Sequence, residues 1–580
     1  MQSRLVELRS IFKKKKVCGF VVPSSDEFQS EFCPAHAGRL EWISGFSGSA
    51  GVAVIAEKKA AFFTDGRYMI QARNELIKGF EVYNIADKKP WEWASENIKK
   101  GKLAIDPWLH TEVNVKKYTA SVEVHLAKEN YINLIWKDAP ALPDGTVKLY
   151  PQKYAGQKFE DKINDFTAIL KKHDAGACIL AVPESICWLL NIRGTDIPTT
   201  PSVLTFAIVF QNGTVKLFID KERVRQQVLS HFDTKVQIYQ RDALVKEVKS
   251  LDKGSIMLDP ETVPYAFFEL LSKKKIVRYK DPCELPKAIK NKVEIKCAEE
   301  VHNIDGLALT RFIHWLECEV GKNRVTEVSV SRRLLNYRRE HQDFRGVSFD
   351  TIAGFGSNGA IIHYRPTDDT DKEIKGNGLL LLDSGGQYLG GTTDVTRTIA
   401  IGKPTKEQIT HFTLVLKGHI ALSRIVFPEG TTGTQLDVLA RQYLWQNGLD
   451  YEHGTGHGVG SYLSVHEGPQ RISKAINNVP LQEGMILSNE PGFYKEGEYG
   501  IRIENLVIVE KKEELSKGKQ KFLGFKTLTK APIDLKLVDK KMLSDEEISW
   551  LNNYHKMVIN DLSKSLDDDV KRWLKDTTHL

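Results

Sequence analysis

"GLLLLDSGGQYLGGTTDVTRTIAIG", residues 378–402, carries two aspartates on what reads as one β-hairpin. An apolar strand ends at Asp383, a glycine-rich turn follows, and a second strand opens at Asp394, so the two carboxylates face each other across the hairpin. "SNEPGFYKEGEYGIRIENLVIV" (488–509) repeats the plan. Glu490 precedes a Pro-Gly turn, and Glu504 lies fourteen residues later in a strand. Alternation puts Arg502 and Glu504 on one face, with Ile501 and Ile503 on the other. Strands with apolar neighbours rarely aim carboxylates inward, because a buried unpaired charge is costly. One such group could be matched by Arg397 or Arg502, but four need more positive charge. Bound cations supply it. Four carboxylates and one imidazole would neutralise two divalent ions and leave a bridging hydroxide as nucleophile. Oxygen-dominated ligation favours Mn²⁺ over a thiolate-type zinc site, with Zn²⁺ or Co²⁺ as alternatives. Two ions about 3.5–4 Å apart polarise a carbonyl and lower the pKa of a shared water.

The imidazole comes from "HGTGHGVGSYLSVHEG" (453–468), which holds His453, His457 and His466. Gly454, Gly456 and Gly458 make a poor helix, so the H-x-x-x-H spacing is not a helical zinc motif. In an extended chain the rings of His453 and His457 share a face yet stand about 13 Å apart, at ~3.3 Å per residue. Two ligands of one ion lie within ~4–5 Å of each other. Unless the glycines fold back, only one of the pair binds a given ion and the other reaches towards substrate. The glycines fit a backbone approached closely by another strand. "SNGAIIHYRP" (357–366) adds His363, which alone reads as a strand-end histidine without a role. His302, His314 and His341 lie in helical, charged context and receive none.

Working outward, 580 residues predict several domains, and 41% hydrophobic with 27% charged residues suit large globular cores. The net charge of +7 comes largely from lysine runs such as Lys13–Lys16 and Lys273–Lys275. No recognition motif accompanies them, so no nucleic-acid partner is expected. Seven scattered cysteines, never spaced C-x-x-C, point to reduced thiols and a cytoplasmic compartment. The N-terminus lacks a signal-peptide pattern, no run approaches a membrane span, and the C-terminus is no lipid-anchor tail. No membrane association is expected.

The first 280 residues alternate strand-like and helical patterns and contain a faint repeat. "FVVP" (20–23) precedes "WISGFSG" (42–48), and "ILAVP" (179–183) precedes "WLLNIRG" (188–194), each followed by a strand–turn–strand. The expected organisation is two related α/β domains, 1–145 and 146–288, and a third domain, 289–580. Joints are placed at 138–154 and 281–296. Past the second joint, Val301, Ile304, Ala308, Phe312 and Trp315 share one face of an amphipathic helix.

"LLDSGGQYLGGTTDVTRT", "HGTGHGVGSYLSVHEGP", "EPGFYKEGEYGIRIEN" and "WLNNYH" (550–555) resemble the metallopeptidases of the pita-bread fold, family M24, and among them the long, three-domain, cytosolic form of aminopeptidase P. "EWISGFSGSAG" and "FFTDGRY" resemble its creatinase-N-like N-terminal domain, so the likeness covers nearly the whole chain. It implies a fold of two related α/β domains followed by a pita-bread catalytic domain with a C-terminal extension. It also implies roles. Asp383 would bind one ion, Asp394 and Glu504 would bridge both, and His457 and Glu490 would hold the other. His363 and His466 would hydrogen-bond the scissile carbonyl or its oxyanion, and His453 would line the leaving-group side. Glu490 would double as proton shuttle, and Arg502, with Tyr494 beside it, would orient carboxylates. The substrates would be peptides with proline at the second position, and the assembly a homodimer.

That chemistry is physically coherent. An Xaa-Pro bond is a tertiary amide without an N–H for a protease to grip, whereas a metal-bound hydroxide needs only the carbonyl. The free amine of the substrate can bind one ion and set the register. A prolidase, acting on Xaa-Pro dipeptides, would share all five ligands; length and the three-domain plan favour the aminopeptidase. Non-enzymatic pita-bread binding modules typically lack the ligands, and all five are present here.

Overall fold

The computed structural model describes residues 2–251 and 254–579. The chain divides into two units, Met1–Glu284 and Leu285–Leu580.

The first unit uses one plan twice. Strands Gly19–Pro23, Val52–Ala56, Ala60–Thr64, Glu81–Asn84, Leu103–Ile105 and Val124–Leu126 form a sheet whose spatial order, numbered by appearance, is 4-3-2-1-5-6. Strands Ala177–Leu180, Phe206–Phe210, Val215–Phe218, Val236–Tyr239, Ile256–Leu258 and Ile276–Arg278 form a second sheet with the same order. In both, the first three strands pair antiparallel and the other pairings are parallel. The Trp-to-Gly repeat falls at equivalent places, on the helices Arg39–Ser44 and Pro183–Leu189 and the turns after them. The halves exchange hydrogen bonds through matching Asp-Pro turns. Ala266 N–H donates to the Pro107 carbonyl at 2.9 Å, and Val113 N–H to the Pro260 carbonyl at 3.2 Å. The Phe267 ring packs there with centroids 5.3 Å from both Trp108 and Phe206.

In the second unit the run Leu379–Leu382 is apolar throughout because its strand, Gly378–Ser384, lies between Ile352–Phe355 and Val395–Ile401 and is buried on both faces. Leu380 and Leu382 pack on Leu309, Phe312 and Leu316 of the helix Lys292–Glu319, and Leu379 packs on Phe412 and Leu416 of the helix Lys406–Arg424. An antiparallel sheet runs in the order Val426–Pro428, Phe522–Thr527, Asn505–Lys511, Ile486–Asn489, Gly456–Gly458, Glu467–Ile472. Leu436 and Ala440 of the helix Gly433–Trp445 cover it against Leu487 and Val507.

Several expectations need correcting. The segment between Asp383 and Asp394 is not a simple turn. Gly386–Tyr388 and Gly391–Thr392 form a small hairpin of their own, which pairs with Phe344–Val347. Asp383 therefore sits opposite Thr396, and Asp394 lies one residue before its strand. Pro491-Gly492 is not a turn either, since the strand Gly492–Lys495 begins there and the chain reverses at Glu496–Glu498. Glu504 lies outside a strand, in the break between Tyr499–Arg502 and Asn505–Lys511. His363 follows a short 3-10 turn, Gly356–Ala360, and not a strand. The helix Lys292–Glu319 is covered on more than one face, which leaves His302 fully enclosed.

Candidate metal centre

Two hairpins and one glycine-rich strand carry the cluster. The first hairpin folds back on itself at Gly385, where a Cβ would stand 2.0 Å from the Thr393 carbonyl oxygen. Thr393 N–H donates to the Gly386 carbonyl at 2.9 Å, and Gly386 N–H to Thr393 Oγ1 at 2.9 Å. This close approach returns Asp394 to the neighbourhood of Asp383. The strand Gly456–Gly458 lies between two others, and a Cβ on Gly456 would lie 2.0 Å from the Ser488 carbonyl oxygen. Only glycine admits that spacing, and it brings His457 beside Glu490.

Asp383, Asp394 and Glu504 are buried, and His457, Glu490 and His466 are half-buried. Their ligand atoms form three groups, each within 4.8 Å: Asp383, Asp394 and Glu504; His457, Glu490 and Glu504; Asp394, His457 and His466. His457 Nε2 stands 3.4 Å from Glu490 Oε1 and 3.6 Å from Asp394 Oδ2. Its Nδ1 bonds the Gly458 carbonyl at 2.9 Å, leaving Nε2 to face the carboxylates. Asp394, Glu504 and His457 each belong to two groups, and of these the two carboxylates have a second oxygen with which to serve adjacent ions.

The donor set fits metal. Asp383 Oδ1 and Asp394 Oδ1 are buried with no hydrogen-bond partner among the described residues. Four carboxylates converge, and Arg502 is the arginine that reaches one of them, donating from Nη2 to Asp383 Oδ2 at 2.6 Å. Arg397 instead serves carbonyls, among them Glu504 at 2.6 Å and Ala531 at 2.8 Å. Burial, then repulsion from Glu504 and Asp383, holds Asp394 well above the carboxylate range. Burial, then Glu490 and Asp383, does the same to Glu504, and burial pushes Glu490 up to about 7 against the pull of Arg502. Such a cluster either keeps protons or binds cations. The ligand spacing and the unpartnered oxygens match two cations.

The same carboxylate-bearing chain runs the length of proteins of known family. It is 39% identical to the probable Xaa-Pro aminopeptidase P of Aspergillus flavus, over 99% of this chain and 92% of that one. The chain belongs to metallopeptidase family M24. The M24 family model matches residues 296–511, and a model of the C-terminal region of peptidase M24 matches 521–580. Creatinase/prolidase N-terminal domain models match 4–130 and 138–294. The M24 fold is equally clear in three dimensions. The crystal structure of X-prolyl aminopeptidase from Caenorhabditis elegans, described as a cytosolic enzyme with a di-nuclear active site, superposes with a TM-score of 0.95 and 33% identity over 100% of this chain and 99% of that one. The prolidase of Pyrococcus horikoshii, 25% identical with a TM-score of 0.52, covers 65% of this chain and 99% of its own.

The other residues expected at the site connect to the cluster through side-chain contacts. His466 crosses His457 edge to face, with ring centroids 4.4 Å apart. His453 stands outside the three ligand groups. Its Nε2 lies 2.8 Å from Tyr494 Oη, which accepts from Arg502 at 2.6 Å, so a chain of contacts runs from His453 to Asp383. Arg502 also donates to the Ile362 carbonyl at 3.4 Å, tying down the residue before His363.

Reading the sequence missed the hydroxyls. Thr396 Oγ1 donates to Glu504 Oε2 at 2.8 Å and accepts from Arg502 Nε at 3.1 Å. Ser488 Oγ accepts from His457 N–H at 3.0 Å and donates to Glu490 Oε1 at 3.0 Å. Each sits two residues from a carboxylate, Thr396 from Asp394 and Ser488 from Glu490, a spacing that strand alternation would have flagged. Nothing local marks Arg338, which donates to Asp305 at 2.8 Å, to Ser384 Oγ at 3.1 Å and to the Gly385 carbonyl at 3.3 Å, behind Asp383.

Proposed function

We propose that the chain is a metalloaminopeptidase that removes the first residue from peptides with proline at the second position. The observation that carries this reading is the convergence of Asp383, Asp394, His457, Glu490 and Glu504 in linked groups of ligand reach. Asp383 would hold one ion, His457 and Glu490 the other, and Asp394 and Glu504 would bridge. Mn²⁺ suits the oxygen-dominated set. Two divalent ions bound there would polarise the scissile carbonyl and lower the pKa of a water.

The chain's own residues would do the rest. Arg502 and Thr396 fix the orientations of Asp383 and Glu504. Glu490, which accepts from Ser488, would take a proton from the attacking water and hand it to the departing proline nitrogen. His466 and His363 would hydrogen-bond the carbonyl oxygen as it gains charge. His453, held by Tyr494, would line the side from which the shortened peptide leaves.

Three domains, 1–145, 146–288 and 289–580, remain the organisation we propose, in a cytosolic homodimer. No disulfide joins any of the seven cysteines among the described residues, which suits a reducing compartment. Val438 and Trp445, two turns apart on the helix Gly433–Trp445, are 44% and 43% exposed. No helix among the described residues is long and apolar enough to cross a membrane.

Comparing an Xaa-Pro dipeptide with Xaa-Pro-Yaa peptides tests the substrate. The tripeptides should be turned over, and rapid cleavage of the dipeptide alone would establish a prolidase instead.

A further inference from the structure

Directly after His466 stands a second buried ionic group that the reaction does not use. Glu467 is enclosed, and its two oxygens face two lysines. Lys290 Nζ donates to Oε1 at 2.8 Å, and Lys287 Nζ lies 2.6 Å from Oε2. The side chains of Lys290, Lys287 and Glu467 are 0%, 7% and 1% exposed. Within this triad two cations face one anion, and such an arrangement is not what stability alone selects, since an apolar side chain in place of one lysine would avoid its desolvation. The carboxylate tucks beneath the glycine-histidine strand: a Cβ on Gly460 would lie 2.9 Å from Glu467 Oε2, and Glu467 pairs with Gly458, the neighbour of His457.

Both lysines come from the few residues that open the second unit. The same segment also holds the base of the strand that leads to Glu490. Ile289 bridges Met485, and Lys290 N–H donates to the Gly484 carbonyl at 3.0 Å, at the root of the strand Ile486–Asn489 that leads to Glu490.

We propose that Lys287 and Lys290 are positioning residues for the reaction, which clamp Glu467 and so hold the His466 ring at the cluster. This rests on the reading above in which His466 acts on the scissile carbonyl.

The test uses the full chain loaded with Mn²⁺. Lys290→Met should lower kcat roughly ten-fold or more, with KM, metal content and thermal midpoint close to the parent. In a His466→Ala background the same change should cost less than about two-fold, because the residue it positions is already gone. A crystal structure of the metal-free Lys290→Met protein should show His466 displaced while His457 and Asp394 stay in place. If Lys290→Met fails to fold, Lys287→Met, which leaves the fully buried lysine paired, carries the same test. Parental kcat in a folded lysine variant, or an equal loss in the His466→Ala background, would overturn the proposal. Parental kcat in His466→Ala itself would overturn the role of His466, and this proposal with it. A loss in His466→Ala beside parental kcat in Lys290→Met would overturn the proposal alone.

Discussion

Two of the ionic regions that the second unit buries stand back to back, and they are built on opposite principles. Behind Asp383, Asp305 and Arg338 form a pair in which Arg338 reaches both Asp305 oxygens, at 2.8 and 3.1 Å, and Tyr388 Oη adds a bond at 2.7 Å. In front, Asp383, Asp394, Glu490 and Glu504 gather around Arg502, and two of their oxygens have no hydrogen-bond partner among the described residues. The first region is balanced one to one and needs nothing more. The second is incomplete as a protein structure and is completed by bound cations. A buried charge that is fully answered holds the fold, and one left over marks chemistry.

Substitutions should separate the two regions. Glu504→Ala is expected to abolish metal occupancy and with it all measurable turnover, read by metal analysis of the purified protein. Glu504→Gln should raise the thermal midpoint of the metal-stripped protein, because the amide is neutral without the proton that the buried carboxyl must take up; a lowered midpoint would mean the cluster does not disfavour the ionised carboxylate. His466→Ala should keep its metal and lose about 10²–10³-fold in kcat, the scale of one lost oxyanion donor. A metal-free His466 variant would make it a ligand and contradict the assignment. Arg338→Met should act on folding first, costing about 3–5 kcal/mol in denaturant titrations because Asp305 is left buried and unpaired. A smaller effect is expected from acid. His555 is buried, accepts from Ile533 N–H at 3.1 Å and bonds the Thr578 carbonyl at 3.0 Å, and burial lowers its pKa to about 4. The folded state then binds fewer protons than the unfolded state, whose histidine titrates near ~6.5. Its contribution is full above that value and is lost as pH falls through about 4. His555→Gln should flatten that part of the stability profile, and an unchanged slope would show that another group sets it.

The sequence made much of this legible because the signals were short-range. The apolar run before Asp383 marks a strand buried on both faces, and the paired Trp-to-Gly spacings mark a repeat that the two identical sheet orders bear out. The five proposed ligand positions stand in motifs whose residue types imply charge in need of cations. What could not be read depends on distant partners. The small hairpin between Asp383 and Asp394 forms because Phe344–Val347, some forty residues earlier, offers it an edge. Glu490 and Glu504 occupy breaks because their hairpin passes from a large sheet into a two-stranded ribbon there, which local alternation does not reveal. Arg397 looked like a counter-ion by type, but its guanidinium donates to carbonyls, those of Thr396, Glu504, Ala531 and Pro532, and not to the carboxylates.

The central claim is that the charge imbalance around Asp394 and Glu504 is resolved by two cations. Protein stripped by exhaustive chelation and titrated with Mn²⁺ should bind two ions per chain, and cleavage of an Xaa-Pro-Yaa peptide should return in step. Cleavage that survives chelation, or that stays absent with two ions bound, would contradict it.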